Sequence, residues 1–319
     1  MKRLNTIYIA TIVGTALTLF QWELCARASV TRPVQIPGTR VVLDVPDNFH
    51  ISESFPGIEH DREQVAVSVS EIPTSYLEFS KRYTGTELNK PDTRLLRRER
   101  MDKDGLSGHL LVVDQKIKNR RFERWIFITG DTDESVVITG YFPRARAHKY
   151  RDLIDTTIRS AFWDSAKVLD HYQGLGFRLD DVPNLRVASR LNNNLIYTAT
   201  GRLPDLYYTD ALLFVNFRSY APGTNITEQF ARDQFAKISL LSKPAIDDIQ
   251  TRQLRGVDSI IIEGRGFHAH LGYAIAAIQV IAMTETGALI AQGFTTLDNR
   301  DNDFDVFKTT IASFRLEDN

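Results

Sequence analysis

Two histidines stand at chelating spacing in this chain, His268-Ala-His270. On a strand, residues two apart project from one face, so both imidazoles could reach a single metal ion. A closed site needs further ligands. Glu263 lies on the opposite alternation, and His50, His60, His109, His148 and His171 are dispersed along the chain. His268 and His270 are therefore weak metal candidates, and solvated or hairpin-tip histidines are the plainer reading. Asp298, Asp301, Asp303 and Asp305 suggest a calcium loop, but an EF-hand starting at Asp301 would need Gly where Val306 stands and Glu where Ala312 stands. Acids at that place fit the N-terminus of a final helix, where the macrodipole favours negative charge. Gly264-Arg-Gly266 precedes a strand-like run, Phe267 to Val280, and not the helix that a phosphate loop requires. No G-x-S-x-G elbow occurs, and Gly105-Leu-Ser107-Gly108 belongs to a turn. Paired carboxylates are a spatial property, and no pair stands out in the sequence. The reading is of no catalytic residues, no cofactor and no enzyme.

The arginines say more. From Arg94 to Arg151 there are 14 Lys and Arg against 8 Asp and Glu, whereas from Asp170 onward there are 14 against 18. The two halves are oppositely biased although the net charge is only -1, which gives no global field for nucleic acid. Arg97, Arg98, Arg120, Arg121 and Arg124, interleaved with Phe122 and Trp125, fall on adjacent hairpin strands and are the candidate partner-binding residues. Such a stripe suits an acidic protein surface, anionic lipid headgroups or another envelope polyanion. It is also what outward strand positions ordinarily carry, because Lys and Arg there blunt edge pairing.

Behind these residues stand the elements that place them. Lys2 and Arg3 precede an apolar run from Ile7 to Phe20, and Ala26 and Ala28 follow in an A-x-A arrangement. This is the pattern of a signal peptide over residues 1–28, with an uncleaved anchor as the alternative, and it implies a periplasmic or secreted protein. The sole cysteine, Cys25, lies within that segment, so the exported chain would have no thiol for disulfides, nucleophiles or metal sites.

The rest of the chain repeats itself. Ser135-Val-Val-Ile-Thr-Gly140-Tyr-Phe142 aligns with Ala288-Leu-Ile-Ala-Gln-Gly293-Phe-Thr295, and Thr156-Thr157-Ile158-x-Ser160 with Thr309-Thr310-Ile311-x-Ser313 at the same offset. Upstream, Val41 to Pro46 answers Phe177 to Pro183, and Val65 to Val69 answers Leu212 to Asn216. A helix follows each of the latter pair, capped by Ser75 with Glu78 in the first copy and by Asn225 with Glu228 in the second. Tyr76, Phe79 and Tyr83 share a face of the first helix; Phe230, Gln234 and Ile238, with Phe235 beside them, share a face of the second. Strand signals follow at Leu110–Val113, Trp125–Thr129 and Val136–Tyr141, then at Ser259–Ile262, Ile275–Ala282 and Leu289–Phe294, with Asp102 to Gly105 and Gly130 to Asp133 as hairpin turns.

This order of elements, with its closing Thr-Gly-Tyr-Phe and Thr-Thr-Ile-x-Ser patterns, resembles the PsbP-like fold family over nearly all of both copies. The resemblance implies an α+β fold of two tandem modules, residues 36–164 and 174–317, each a central antiparallel sheet with helices on both faces. It also implies a family that mostly binds other macromolecules, and it carries no functional residues over. A short linker at Ser165 to Gly174 favours a shared interface between the modules. The expected function is a non-catalytic exported binding or adaptor protein of the cell envelope, contacting a protein complex or an anionic envelope component, with peripheral membrane contact open. The alternatives are a small-ligand or metal-binding periplasmic protein and, more remotely, an envelope hydrolase.

Overall fold

The computed structural model describes residues 31–317 apart from 84–87, 104–105, 204–210, 222–223 and 225. The proposed signal segment, the Gly105 turn residue and the Asn225 cap lie outside the described residues.

The first module runs β1 (Thr31–Gln35), β2 (Val41–Pro46), β3 (His50–Ile51), β4 (Gly57–Glu59), β5 (Ala66–Ile72), α1 (Tyr76–Ser80), β6 (Thr93–Lys103), β7 (Leu106–Ile117), β8 (Arg120–Gly130), β9 (Ser135–Pro143), α2 (Ala147–Arg159) and β10 (Phe162–Trp163). The second runs β11 (Phe177–Arg178), β12 (Arg186–Leu191), β13 (Asn194–Thr198), β14 (Leu212–Ser219), α3 (Glu228–Ala236), β15 (Leu241–Leu254), β16 (Val257–His268), β17 (Ala274–Met283), β18 (Gly287–Thr295), α4 (Arg300–Ala312) and β19 (Arg315–Leu316). Each module holds one 7-stranded antiparallel sheet, in the orders β3-β4-β5-β9-β8-β7-β6 and β12-β13-β14-β18-β17-β16-β15. The two large sheets repeat strand for strand, whereas the small ones differ, β1-β2-β10 in the first module and β11-β19 in the second.

The chain is strand-dominated. Strand interiors such as Ile126-Phe127-Ile128 and Ile275 to Ala282 are buried residue after residue, because the central strands are covered on both sides. The edge strands β6 and β15 are mostly exposed, and β6 is mostly charged, which explains why no apolar period announced them. In the first module helical cover is full on one face only. Tyr150, Ile154 and Ile158 of α2 join Leu110, Val112, Trp125, Phe127 and Ile138 in one core, whereas the opposite cluster of Leu111, Val113, Ile126 and Ile128 receives Phe79 and, partly buried, Tyr76 from α1, a helix of 5 residues.

The repeated sequence pattern has a physical basis. A Cβ on Gly140 would stand 2.4 Å from Ile154 Cγ2, and one on Gly293 would stand 2.4 Å from Phe307 Cδ2, so each glycine lets the closing helix lie directly on the sheet. Ser160 Oγ donates to the Thr157 carbonyl (2.7 Å) and accepts from Asp44 N (2.8 Å); Ser313 Oγ donates to the Thr310 carbonyl (2.6 Å) and accepts from Asp180 N (2.8 Å). The serines therefore tie each helix end to β2 or to the segment after β11. Removing the hydroxyl leaves a backbone N–H unpaired, so Ser160→Ala and Ser313→Ala should each cost about 1–3 kcal/mol in urea unfolding.

The capping expectations meet a mixed outcome. Ser75 Oγ accepts from Glu78 N at 3.3 Å as anticipated, whereas Thr227 caps α3, accepting from Phe230 N at 3.2 Å. At α4, Asp301 and Asp303 occupy the first turn, and the Asp303 carboxylate accepts from Thr295 Oγ1; no side chain bonds from the Asn299 cap position. Within α3 it is Ala231 and Phe235, not Gln234, that enter the core.

The modules meet through β5, the linker and the β12–β13 hairpin. Ser189 Oγ donates to the Glu71 carbonyl at 3.1 Å, and Gly38 N donates to Gln173 Oε1 at 3.2 Å. The Arg190 guanidinium, held down at about 10 by burial, donates to the carbonyls of His171 and Gln173 in the linker and to Asn193 Oδ1. Burial, then the Arg190 charge, and beyond the opposing Asp170 that of Arg40, hold the nearby His171 imidazole at about 4. A histidine depressed in the folded state binds its proton only on unfolding. Stability should therefore be full above pH 6.5 or so and decline as the pH falls toward 4, by at most about 1.4 kcal/mol per pH unit. Urea midpoints between pH 7.5 and 4.5 measure this, and His171→Asn should flatten the slope.

Candidate functional site

The five candidate arginines do not share one surface. Arg97 pairs across the ladder with Val112, on the α2 side, and stacks over Trp125 at 4.8 Å with Glu99 3.6 Å away. Arg121 lies on the same side and pairs with the buried Asp114 at 2.8 Å, which Arg144 also contacts. Burial alone would raise the Asp114 carboxyl, but Arg121 and Arg144 outweigh it and hold the group below its ordinary value. These two arginines are largely neutralised. On the opposite side, Arg98 donates to the Tyr83 carbonyl at 2.8 Å, Arg120 lies 6.0 Å from the Phe122 ring, and Arg124 donates to Gln115 Oε1 at 2.9 Å. The single basic stripe read from the sequence is thus divided by strand alternation.

That second side holds an open groove of about 810 Å³. Ser68 and Ser70 of β5, Thr139 and Tyr141 of β9, and Arg124 and Phe122 of β8 line its floor, with Phe79 and Tyr83 from α1 and the turn after it. Leu191 reaches it from the second module. Arg124 lies opposite Val113 on one side and Tyr141 on the other. Burial pulls its guanidinium below the ordinary value, with Tyr83 and Tyr141 opposing, and burial raises both tyrosines. Among the described residues, no carboxylate forms an ion pair with Arg124.

The second copy handles the same face differently. The offset that matches Gly140 with Gly293 matches Arg124 with Ala277, Tyr141 with Phe294 and Phe122 with Ile275; by sheet register, Ser68 corresponds to Phe214 and Val113 to Gly264. Here α3 covers the sheet. Phe235 packs so closely that a Cβ on Gly264 would stand 2.8 Å from its ring, and Gln279 Nε2 donates to the Ala231 carbonyl at 2.9 Å. Gly264-Arg-Gly266 lies inside β16 and serves this packing and no phosphate. The copy of the face in the second module is closed; that in the first is open.

The fold is similar to that of PsbP. Cyanobacterial PsbP from Synechocystis is 14% identical, with 44% of this chain aligned to 96% of that one at a TM-score of 0.31. The Ran-binding protein Mog1p of Saccharomyces cerevisiae is 10% identical over 44% of this chain and 90% of its own, TM-score 0.33. Immunity protein TplEi of the T6SS of Pseudomonas aeruginosa is 8% identical over 90% of this chain and 97% of its own, TM-score 0.32. No protein-family profile and no curated protein sequence matches the chain. Likeness at this level leaves activity and partner to the chain's own residues.

The histidine pair does not form the strand-borne chelate. His268 ends β16 and is buried, while Ala269 to Leu271 make the hairpin turn, so His270 is not on the strand at all. His268 Nδ1 accepts from the backbone of His270 and Leu271, each at 3.2 Å, and its ring stacks on Tyr273 at 5.4 Å. A nitrogen already accepting two N–H groups is committed to shaping the turn. Among the described residues, no group of three or more His, Cys, Asp or Glu side chains could hold a metal ion.

Sequence reasoning named Arg124 but missed the groove around it. The signal was present: a strand-interior Arg where the other copy has Ala277, and Ser68-x-Ser70 where it has Phe214-x-Asn216.

Proposed function

We propose that this is a non-catalytic exported binding protein, acting through protein contacts at the open sheet face of its first module. One observation carries the reading: two modules of the same topology treat the same face oppositely, one burying it under α3 and the other keeping a groove lined by Phe79, Tyr83, Phe122, Tyr141 and Arg124. Among the described residues part of this sheet face is left open, which costs apolar burial, and aromatic and Arg side chains are the types that dominate protein–protein contacts. The envelope address rests on the leader pattern of residues 1–28. Among the described residues, no helix is long and apolar enough to cross a membrane.

The test is affinity purification from crosslinked native envelopes, comparing the wild type with Tyr83→Ala/Phe122→Ala/Tyr141→Ala and with Arg97→Glu/Arg121→Glu. The groove variant should lose its partner at least tenfold while the α2-side variant keeps it. Equal retention by both, with all three proteins folded, would refute the groove as the contact.

A further inference from the structure

Among the described residues, the two buried guanidiniums of Arg40 and Arg190 are well supplied with acceptors: Arg40 has Glu71 and Glu134, and Arg190 has backbone carbonyls and Asn193 Oδ1. Arg124 has one neutral acceptor, Gln115 Oε1. A guanidinium carries five N–H donors in a planar fork that matches a carboxylate. Tyr83, Phe122 and Tyr141 line the groove beside Arg124, and their rings lower the local dielectric in which an ionic hydrogen bond would form. The acids at the far end of the groove do not compete for it: Glu63 is held by Arg146 and Lys149, and Asp61 and Glu59 face His50 at 2.9 and 3.8 Å. The matching position in the second module is Ala277, packed under α3 with Phe235, so a charge here is no requirement of the strand.

We infer that Arg124 is the anchor for an aspartate or glutamate side chain of the protein partner, received in the groove between Tyr83 and Tyr141. The inference rests on the groove being the contact surface. The charge complementarity is local, one half-buried cation facing one carboxylate, and differs from a diffuse basic stripe in being insensitive to the rim. Because the bond forms in a partly desolvated site, it should survive salt better than an exposed pair would.

The probe is a pair of heptapeptide libraries, acetylated and amidated, with a central Glu or a central Gln and uncharged residues elsewhere. Each is titrated into the full chain labelled with ¹⁵N-arginine, and the side-chain Nε–Hε resonance of Arg124 is identified with Arg124→Lys. The Glu library should bind at least tenfold more tightly than the Gln library and move that resonance. In Arg124→Gln the preference should fall within twofold, and Arg124→Lys should retain part of it. Equal binding of both libraries, lost in Tyr83→Ala/Tyr141→Ala, would overturn the anchor and leave the groove as the contact. No binding of either library would overturn both readings. Binding of benzoate alone at Arg124 would overturn the protein partner and leave a small carboxylate ligand.

Discussion

Glu71→Ala should lower the unfolding free energy by about 3–5 kcal/mol, the largest effect expected of any single charge in the protein. The Glu71 carboxylate accepts from Arg40 Nε at 2.8 Å, from Arg40 Nη2 at 2.5 Å, from the Arg40 backbone N–H and from Trp163 Nε1 at 3.2 Å. The two side chains are only 8% and 4% exposed, so water does not replace the lost partner. Removing the acid strands a buried guanidinium, which is what makes one-sided deletion of such a pair costly. Glu134, the other acid on Arg40, is 34% exposed, and Glu134→Ala should cost only about 1 kcal/mol or less. Guanidinium chloride unfolding of the two variants distinguishes the deep partner from the rim partner. Because the Glu71 carbonyl also receives Ser189 from the second module, fluorescence of Trp163 and the global transition should shift together.

Phe307→Ala and Ile154→Ala form the second test, since both residues lie over the glycine of the closing strand in their own module. Phe307→Ala should cost about 3–5 kcal/mol and Ile154→Ala about 2–5 kcal/mol, the sum of lost burial and the cavity left on the sheet. Both side chains are fully buried, and neither neighbouring glycine has a side chain that could fill the void. Thermal unfolding followed by circular dichroism measures both. A small loss at one site only would mean that one helix is free to settle onto its sheet.

The duplication was legible because it is enforced by sterics. A glycine under a helix, a buried Thr and a Ser tying the helix end to a neighbouring strand tolerate little variation, so they recur at one offset after the rest has diverged. Central strands were legible for the same reason, through their unbroken apolar runs. Edge strand β15 was not, because most of its side chains face water and break the apolar period, and β6 was marked only by its arginines and the turn after it. The arginines were visible as a cluster, but a linear run does not say which face each residue takes; one-residue steps along β6 and β8 send Arg97 and Arg98, or Arg120 and Arg121, to opposite sides. His268 and His270 misled for a related reason: period-two reasoning holds inside a strand and fails where the strand ends in a turn. The groove itself is defined by what α1 does not cover. Its position emerges only when the two modules are superposed by register, Arg124 upon Ala277 and Ser68 upon Phe214.

The central claim is that the open face of the first module is where this protein meets another. Its most direct test places a photocrosslinking benzoylphenylalanine at Tyr83 or Tyr141 in the native envelope, with Phe294, the buried counterpart of Tyr141, as the control position. One partner protein should be joined from both groove positions and lost when Arg124→Glu is added, with no adduct from Phe294. An absence of adducts at the groove positions, or the same adduct with Arg124→Glu in place, would contradict it.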